Sequence, residues 1–231
     1  MSTEALFPDQ APGWLRPLVD AAPGLDALAL SRHRIRPTAD ARRAAVLVLF
    51  GDGPMGPDVL LMERSAHLRD HAGQVAFPGG GVDPGDSGPV GAALREAEEE
   101  TGLTPSGVLP LATLPQLFVP PSGFVVTPVL AYWQRPVAVH AVDPGETALV
   151  ARVPVAALTD PANRLQVAAP SGHRGPAFQV EGLLVWGFTG GLLSALLHAG
   201  GWDRPWDTTR VQGLGEAWST ARAARREATG S

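Results

Sequence analysis

The chain has 231 residues, enough for one large α/β domain, and its 18 basic and 23 acidic residues give a formal net charge of −5. Every basic residue is arginine, and both lysine and cysteine are absent. These absences exclude thiolate nucleophiles, disulfides, cysteine zinc sites, Schiff-base lysines and the Walker lysine that contacts phosphates. The acidic balance argues against nonspecific nucleic-acid binding, which depends on a basic surface.

Residues 1–40 are predicted to be an N-terminal extension. The start, MSTEALFPDQ, lacks the basic and apolar regions of a signal peptide, so we expect a cytoplasmic protein. Trp14, Leu15, Leu18 and Val19 have helical spacing, and this helix is a candidate homodimer contact. An arginine cluster follows that is either an anion site or a solvated surface. It consists of Arg32, Arg34, Arg36, Arg42 and Arg43.

Residues 41–203 are predicted to form one domain in which short apolar strands alternate with turns rich in proline and glycine. The predicted strands are 44–50, 58–62, 74–77, 109–114, 124–133, 148–153 and 183–188. The clearest helix is 89–101, where Pro89 suits the start and Gly102 suits the position after the last turn. A second, apolar helix is predicted over 192–198. Residues 204–231 are predicted to be a tail, helical at most.

The stretch 182–202 needs a separate test because it contains no charged residue and about 20 apolar residues can span a bilayer. Glycines punctuate it, and Thr189, Ser194 and His198 interrupt its apolar character. We therefore interpret it as a buried strand and a core helix, and expect no membrane partner.

The helix 89–101 carries three acids on one face, because Glu96, Glu99 and Glu100 are related as i, i+3 and i+4. Like charges at i, i+4 repel, and negative charge in the last turn opposes the helix dipole. A divalent cation that prefers oxygen ligands, Mg²⁺ or Mn²⁺, would compensate for this arrangement. The alternative is a solvated acidic face.

A glycine-rich loop, FPGGGVDPGD, precedes this helix and allows the backbone to approach a phosphate. The segment 80–103 resembles the Nudix box, whose pattern ends in Arg-Glu-apolar-x-Glu-Glu-x-Gly-apolar. This half is matched at every specified position, by Arg95, Glu96, Ala97, Glu99, Glu100, Gly102 and Leu103. The first half departs from the pattern, because Ser87 stands where the family has a glutamate. In the family this acid pairs with the arginine, and the candidates here are Asp86 and its rival Asp83.

The segment LLMERSAHLRDHAGQVAFPGG is similar to the signature that precedes the box in coenzyme A pyrophosphatases. The one-residue insertion before the box arginine is also typical of that subfamily. Candidate substrate-binding residues follow from the match: Arg64, Ser65, Arg69, Gly73, Phe77, Gly79 and Gly80. Further segments, SGFVVTPVL and LLVWGFTGGLL, resemble those that flank the substrate site in these enzymes.

The resemblance implies the Nudix fold, a mixed β-sheet sandwiched between α-helices (α/β/α) in which the box forms a loop-helix-loop. It also implies an enzyme that splits coenzyme A into 4′-phosphopantetheine and adenosine 3′,5′-bisphosphate. Mg²⁺ or Mn²⁺ on Glu96, Glu99 and Glu100 would neutralise the diphosphate and activate the attacking water. Arg64 and Arg69 are candidates for the phosphates, because a guanidinium can bind a phosphate bidentately.

Other roles stay open at this stage. Arg95 either orients a metal-ligand glutamate and closes the loop, or forms a surface ion pair with Glu99. Glu146 is a candidate general base or further metal ligand, and Glu100 is its rival as base. His67 and His71 have the i, i+4 spacing of a zinc pair, but the glutamate of an HExxH motif is absent.

Three functions remain to be separated: a coenzyme A pyrophosphatase, a Nudix hydrolase for another nucleoside diphosphate compound such as ADP-ribose or NADH, and a non-catalytic nucleotide-binding module. The three acids of the helix argue against the binding module, since a binder has no need of three repelling carboxylates. The upstream signature favours coenzyme A over the other substrates.

Overall fold

The computed structural model describes residues 4–30, 41–120, 122–172 and 174–229. Their helices are α1 (Arg16–Ala21), α2 (Ala27–Leu30), α3 (Pro89–Thr101), α4 (Val155–Thr159), α5 (Gly187–Ala199) and α6 (Leu214–Thr229). The strands before residue 120 are β1 (Arg42–Gly53), β2 (Gly56–Arg64), β3 (Val75–Ala76), β4 (Gly79–Gly81), β5 (Val108–Thr113) and β6 (Leu117–Val119). Those after it are β7 (Phe124–Trp133), β8 (Thr147–Pro154), β9 (Arg164–Ala168), β10 (Arg174–Val180), β11 (Leu183–Val185) and β12 (Val211–Gly213).

Two mixed sheets organise the described chain. The first has the order β3-β2-β1-β7-β5, with β4 added to β1, β6 to β7 and β8 to β2. Its central pair, β1 and β7, is parallel, whereas the other pairs are antiparallel. The second sheet has the order β11-β10-β9-β12, and β12 runs parallel to β9.

Alternating side chains of β1 pack on opposite faces of the first sheet, and each face is covered by a different layer. Ala45, Leu47 and Leu49 face α3, and Val48 and Phe50 face the main core. The main core also takes in α1, α5, β10 and β11, and a third cluster lies between the second sheet and α6. The fold is therefore of the α/β class, with helices on both faces of a mixed sheet.

The structure confirms the helix over 89–101 and its glycine end. Val90, Ala93 and Ala97 pack on the first sheet, and Glu98 points to solvent. Gly102 has φ +69° and its N–H donates to the Glu98 carbonyl oxygen. This left-handed conformation is the reason a glycine ends the helix.

The predicted strand over 183–188 is too long, because β11 ends at Val185 and α5 already begins at Gly187. Glycine makes the sharp change possible, since Gly187 has φ +62°. Gly190 then packs against the Val185 carbonyl oxygen, which would lie 3.0 Å from an added Cβ. No helix of the described residues is long and apolar enough to cross a membrane.

The N-terminal segment packs on its own chain. Trp14 contacts the rings of Phe50, Tyr132 and Trp202, and its Nε1 donates to Asp52 at 2.9 Å. Glu4 accepts a 2.7 Å hydrogen bond from the N–H of Val90, in the first turn of α3.

At the other terminus, β12 extends the second sheet and α6 packs on it. Arg32, Arg34 and Arg36 of the arginine cluster lie outside the described residues.

Candidate active site

Arg95 holds the glycine-rich loop against α3. Its guanidinium donates two hydrogen bonds to Asp86, from Nε at 3.0 Å and Nη2 at 3.1 Å, and a third to the Gly81 carbonyl oxygen at 3.0 Å. Asp83 is exposed and lies further away, 3.6 Å from Nη2. Asp86 is thus the acid that joins loop and helix, and these hydrogen bonds hold the pKa of Asp86 below its usual range.

The carboxylate of Glu96 occupies space that only a glycine leaves open. A Cβ added to Gly80 would lie 2.4 Å from the Cδ and Oε2 atoms of Glu96. Arg95 Nη1 donates to Glu96 Oε1 at 2.7 Å. Burial raises the pKa of Glu96, and the hydrogen bond from Arg95 opposes that rise. The second of the three consecutive glycines of the loop therefore accommodates an acid of the helix.

Glu100 is the most buried acid of the three, with 9% of its surface exposed. Its Oε2 accepts the N–H of Gly79 at 2.9 Å, and Arg64 Nη1 lies 3.9 Å from Oε1. Burial raises the pKa of Glu100 to about 7, and the charges of Glu96 and Glu146 add to the rise. The Gly79 N–H and Arg64 offset part of it.

The three acids follow one face of α3, as the spacing predicts, and carboxylate oxygens are the donors that Mg²⁺ and Mn²⁺ prefer. Arg95 Nη1 lies close to two of them, 2.7 Å from Glu96 and 3.1 Å from the exposed Glu99. Within the described ranges no three His, Cys, Asp or Glu side chains are gathered so as to hold a metal ion. The donor set fits a hard divalent cation, since Arg95 Nη1 donates to one oxygen of Glu96 and one of Glu99.

The end of β2 brings the upstream signature to this helix. Arg64 is the last residue of the strand, and Ser65 is buried beside it. The N–H of Ser65 donates to the carbonyl oxygen of Glu146 at 2.8 Å. Glu146 is exposed in the turn before β8, close enough for its charge to affect Glu100. Candidate residues from three separate segments thus converge on Glu100.

The remaining signature residues lie apart from this convergence. Arg69 is exposed in the β2–β3 loop, residues 65–74, and Gly73 of that loop donates its N–H to the Arg64 carbonyl oxygen. Phe77 is 2% exposed and packs in the main core, so its ring stabilises the sheet. His71 pairs with Gln74, with 3.0 Å between Nδ1 and Oε1, and His67 is exposed.

Sequence reasoning missed the contact between α6 and the β2–β3 loop. Trp218 and Arg222 of α6 both lie against Gly73. They stand almost 150 positions further along the chain, and nothing in the local pattern of 204–231 indicates that contact. Gly73 has φ +67°, and this left-handed conformation explains the glycine there without any contact from α6.

A mixed sheet, a glycine loop clamped by an arginine and an acidic helix together define a Nudix domain. The sequence model of the NUDIX domain family matches residues 40–171, and the chain belongs to this family of hydrolases. It is 40% identical over 168 residues to the uncharacterized Nudix hydrolase NudL of Escherichia fergusonii, a match that covers 70% of this chain and 84% of the relative. The match to NudL of Escherichia coli K12 is 50% identical over 95 residues, covering 41% of this chain and about half, 48%, of that relative.

Two solved structures are also similar. A Nudix hydrolase from M. smegmatis, RenU, has 27% identity and a TM-score of 0.43, over 52% of this chain and 74% of its own. The NUDIX domain of Shewanella oneidensis NrtR, solved in complex with ADP-ribose, has 21% identity and a TM-score of 0.42, over 54% of this chain and 81% of its own.

Proposed function

We propose that this Nudix hydrolase cleaves the diphosphate bond of coenzyme A or its derivatives, giving 4′-phosphopantetheine and adenosine 3′,5′-bisphosphate. One observation carries the proposal. The signature upstream of the box and the box itself meet at Glu100, which accepts the Gly79 N–H and faces Arg64. The residues that resemble the coenzyme A subfamily therefore adjoin the acids that define the family. Residues in this position can contact a substrate whose diphosphate lies at the acids.

The charges of the site support a diphosphate substrate. Arg64 is a cation beside the acidic helix and reaches solvent, so its guanidinium is available to a phosphate as well as to Glu100. Arg69 is proposed as a second phosphate contact from the exposed part of the same loop. Arg95 is committed to Asp86 and Gly81, and we assign it to holding the loop rather than the substrate.

The acids of α3 are proposed to hold Mg²⁺ or Mn²⁺, since Nudix hydrolases generally use divalent metals. Such an ion, when bound, would supply neutralisation of the diphosphate charge and a lowered pKa for a water molecule. Glu96, Glu99 and Glu100 are the proposed ligands. Glu146 is proposed as the general base, because it is exposed, whereas one oxygen of Glu100 is already engaged by Gly79.

The substrate is tested by incubating the protein with Mg²⁺ or Mn²⁺ and coenzyme A, ADP-ribose or NADH, followed by chromatographic separation of the products. We expect 4′-phosphopantetheine and adenosine 3′,5′-bisphosphate from coenzyme A. Turnover of ADP-ribose or NADH with none of coenzyme A would refute the substrate assignment. Nucleotide binding without any turnover would instead support a non-catalytic module.

The ligand assignment is tested by Glu99→Gln, which keeps the size of the side chain and removes its charge. We expect a loss of at least about a hundredfold in rate, because a carboxylate ligand is lost, with the fold unchanged. Glu98→Gln is the matched control, since Glu98 is exposed on the opposite side of the same helix. Equal rates for the two variants would contradict the assignment.

A further inference from the structure

The C-terminal helix α6 contacts the β2–β3 loop at Gly73. A Cβ added to Gly73 would lie 3.3 Å from Nη2 of Arg222 and 3.7 Å from Cζ2 of Trp218. The N–H of Gly73 donates to the carbonyl oxygen of Arg64 at 3.1 Å. The guanidinium of Arg222 therefore adjoins the loop that carries the proposed substrate residues.

A second contact fixes the position of α6. Arg225 Nη2 lies 2.6 Å from Oε2 of Glu63, a side chain that is almost buried. Glu63 immediately precedes Arg64, and the pairing of β2 with β8 shifts register between these two residues. Gly182 lets α6 approach the β10–β11 turn, since an added Cβ there would lie 2.8 Å from the Cα of Arg225. The contacts of Arg225 with Glu63 and with Gly182 thus fix the position of α6. The side chain of Arg222 therefore extends from a helix whose position is fixed.

Arg222 carries a charge that the described part of the chain does not neutralise. Its side chain is exposed, and its guanidinium lies 5.5 Å from the ring centroid of Trp218. Among the residues that the structure describes, no carboxylate comes within 4.0 Å of it, whereas its helix neighbour Arg225 is paired with Glu63. An arginine without a carboxylate at the edge of a substrate loop is suited to bind an anionic group of the ligand.

We propose that Arg222 is a specificity-determining residue that binds a phosphate which the substrate carries in addition to its diphosphate. In coenzyme A this group is the 3′-phosphate of the adenosine half. The ring of Trp218 lies beside the guanidinium, 5.5 Å away, and the Glu63–Arg225 ion pair holds the helix. The proposal rests on the proposed function, and it assigns part of the substrate selection to a helix beyond the family match at residues 40–171.

Binding of the two adenosine nucleotides that differ by this one phosphate tests the proposal without turnover. Calorimetry would compare adenosine 3′,5′-bisphosphate with adenosine 5′-monophosphate, for the wild type and for Arg222→Gln. The wild type should prefer the bisphosphate, and Arg222→Gln should weaken its binding by about tenfold while leaving the monophosphate unchanged. Arg222→Lys, which keeps the charge but not the planar fork, should retain part of the preference.

Arg204→Gln is the matched control, because Arg204 is also exposed but stands outside α6. Three results would overturn the proposal: no preference of the wild type for the bisphosphate, an unchanged preference in Arg222→Gln, or equal weakening for both nucleotides. Failure of the proposed function is a separate result, since it would appear as the absence of coenzyme A hydrolysis by the wild type. Unfolding curves of the variants would show that each keeps the fold.

Discussion

Glu100 is the residue at which folding and the proposed function conflict most clearly. It is almost fully buried, yet among the described residues the polar partners of its carboxylate are the N–H of Gly79 and an arginine nitrogen 3.9 Å away. These contacts do not offset the loss of hydration, and the pKa of Glu100 therefore rises to about 7. A carboxylate in this condition binds a proton or a cation readily, which suits the proposed role of Glu100 as a metal ligand.

The raised pKa predicts how stability depends on pH in the absence of divalent ions. The folded pKa of about 7 exceeds the unfolded value of 4.5, so the native state binds more protons between these values. The contribution of Glu100 to stability is thus complete below pH 4.5 and is lost as the pH rises through about 7. Glu100→Gln should raise the free energy of unfolding by on the order of 3 kcal/mol at about pH 8 and much less at about pH 5.

Urea unfolding in EDTA at both pH values would measure this difference. The glutamine still offers an oxygen to the Gly79 N–H, so the variant isolates the effect of the charge. The same variant should lose activity, since a proposed ligand is gone. A gain in stability that is equal at both pH values would show that ionisation of Glu100 is not its cause.

Gly80 offers a second prediction at the scale of one residue. Gly80→Ala would place a Cβ 2.4 Å from the carboxylate of Glu96, so the carboxylate has to move. We expect Mn²⁺ affinity to fall by about tenfold or more, because the proposed ligand is displaced while the fold is retained. Gly81→Ala in the same strand is the control, since nothing lies within 4 Å of a Cβ there. Titration with Mn²⁺ would compare the two, and similar affinities would contradict the role given to Gly80.

At the scale of elements, the glycine loop and α3 act as one unit joined by Arg95. Asp86→Ala removes both hydrogen bonds to the guanidinium and should cost about 1–2 kcal/mol, since the pair is partly screened by solvent. It should also lower kcat/KM, because the freed loop no longer holds Gly79 and Gly80 against the acids. Asp83→Ala is the matched control, with an exposed side chain 3.6 Å from Arg95. Thermal unfolding and kinetics measure both effects, and an equal loss in the two variants would contradict the pairing.

The sequence predicts elements well where local chemistry decides them. The bounds of α3 and β7 agree with prediction, because a proline and a glycine delimit the helix and a long apolar run fills the strand. In contrast, the sequence does not predict β9, because two of its buried residues, Arg164 and Gln166, are polar and interrupt the apolar pattern of a strand. Their burial depends on partners that arrive from β10, α5 and the segment after α5.

In the candidate site, too, the features that local sequence decides are predicted and those that depend on distant segments are not. The acids of α3 follow from spacing, and the resemblance supplies Arg64 and Gly79. Their meeting at Glu100 depends on the pairing of β4 with β1 and on the end of β2, which no local pattern encodes. The hydrogen bond from Val90 to Glu4 joins residues 86 positions apart and is invisible in the sequence for the same reason.

At the scale of the whole molecule, Arg164 ties the second sheet to the main core. It is 1% exposed in β9, lies 4.6 Å from the ring centroids of Phe178 and Trp206, and donates to Asp203 and Ser194 at 2.8 Å. Ser194 belongs to α5, whose leucines pack in the main core. A buried cation therefore connects β9, α5 and the segment that follows it.

Asp203→Ala would leave this guanidinium buried without its carboxylate. We expect a loss of about 3 kcal/mol in the free energy of unfolding, because an uncompensated buried charge costs more than the ion pair contributes. Arg164→Met, which removes the charge and keeps much of the volume, should be less harmful than Asp203→Ala. His198→Ala is the control for the other neighbour of Asp203, since His198 is exposed and 3.6 Å away. Because Arg164 connects the second sheet to α5 and the main core, urea unfolding should remain a single transition at a lower midpoint, and an unchanged midpoint would refute this role for the ion pair.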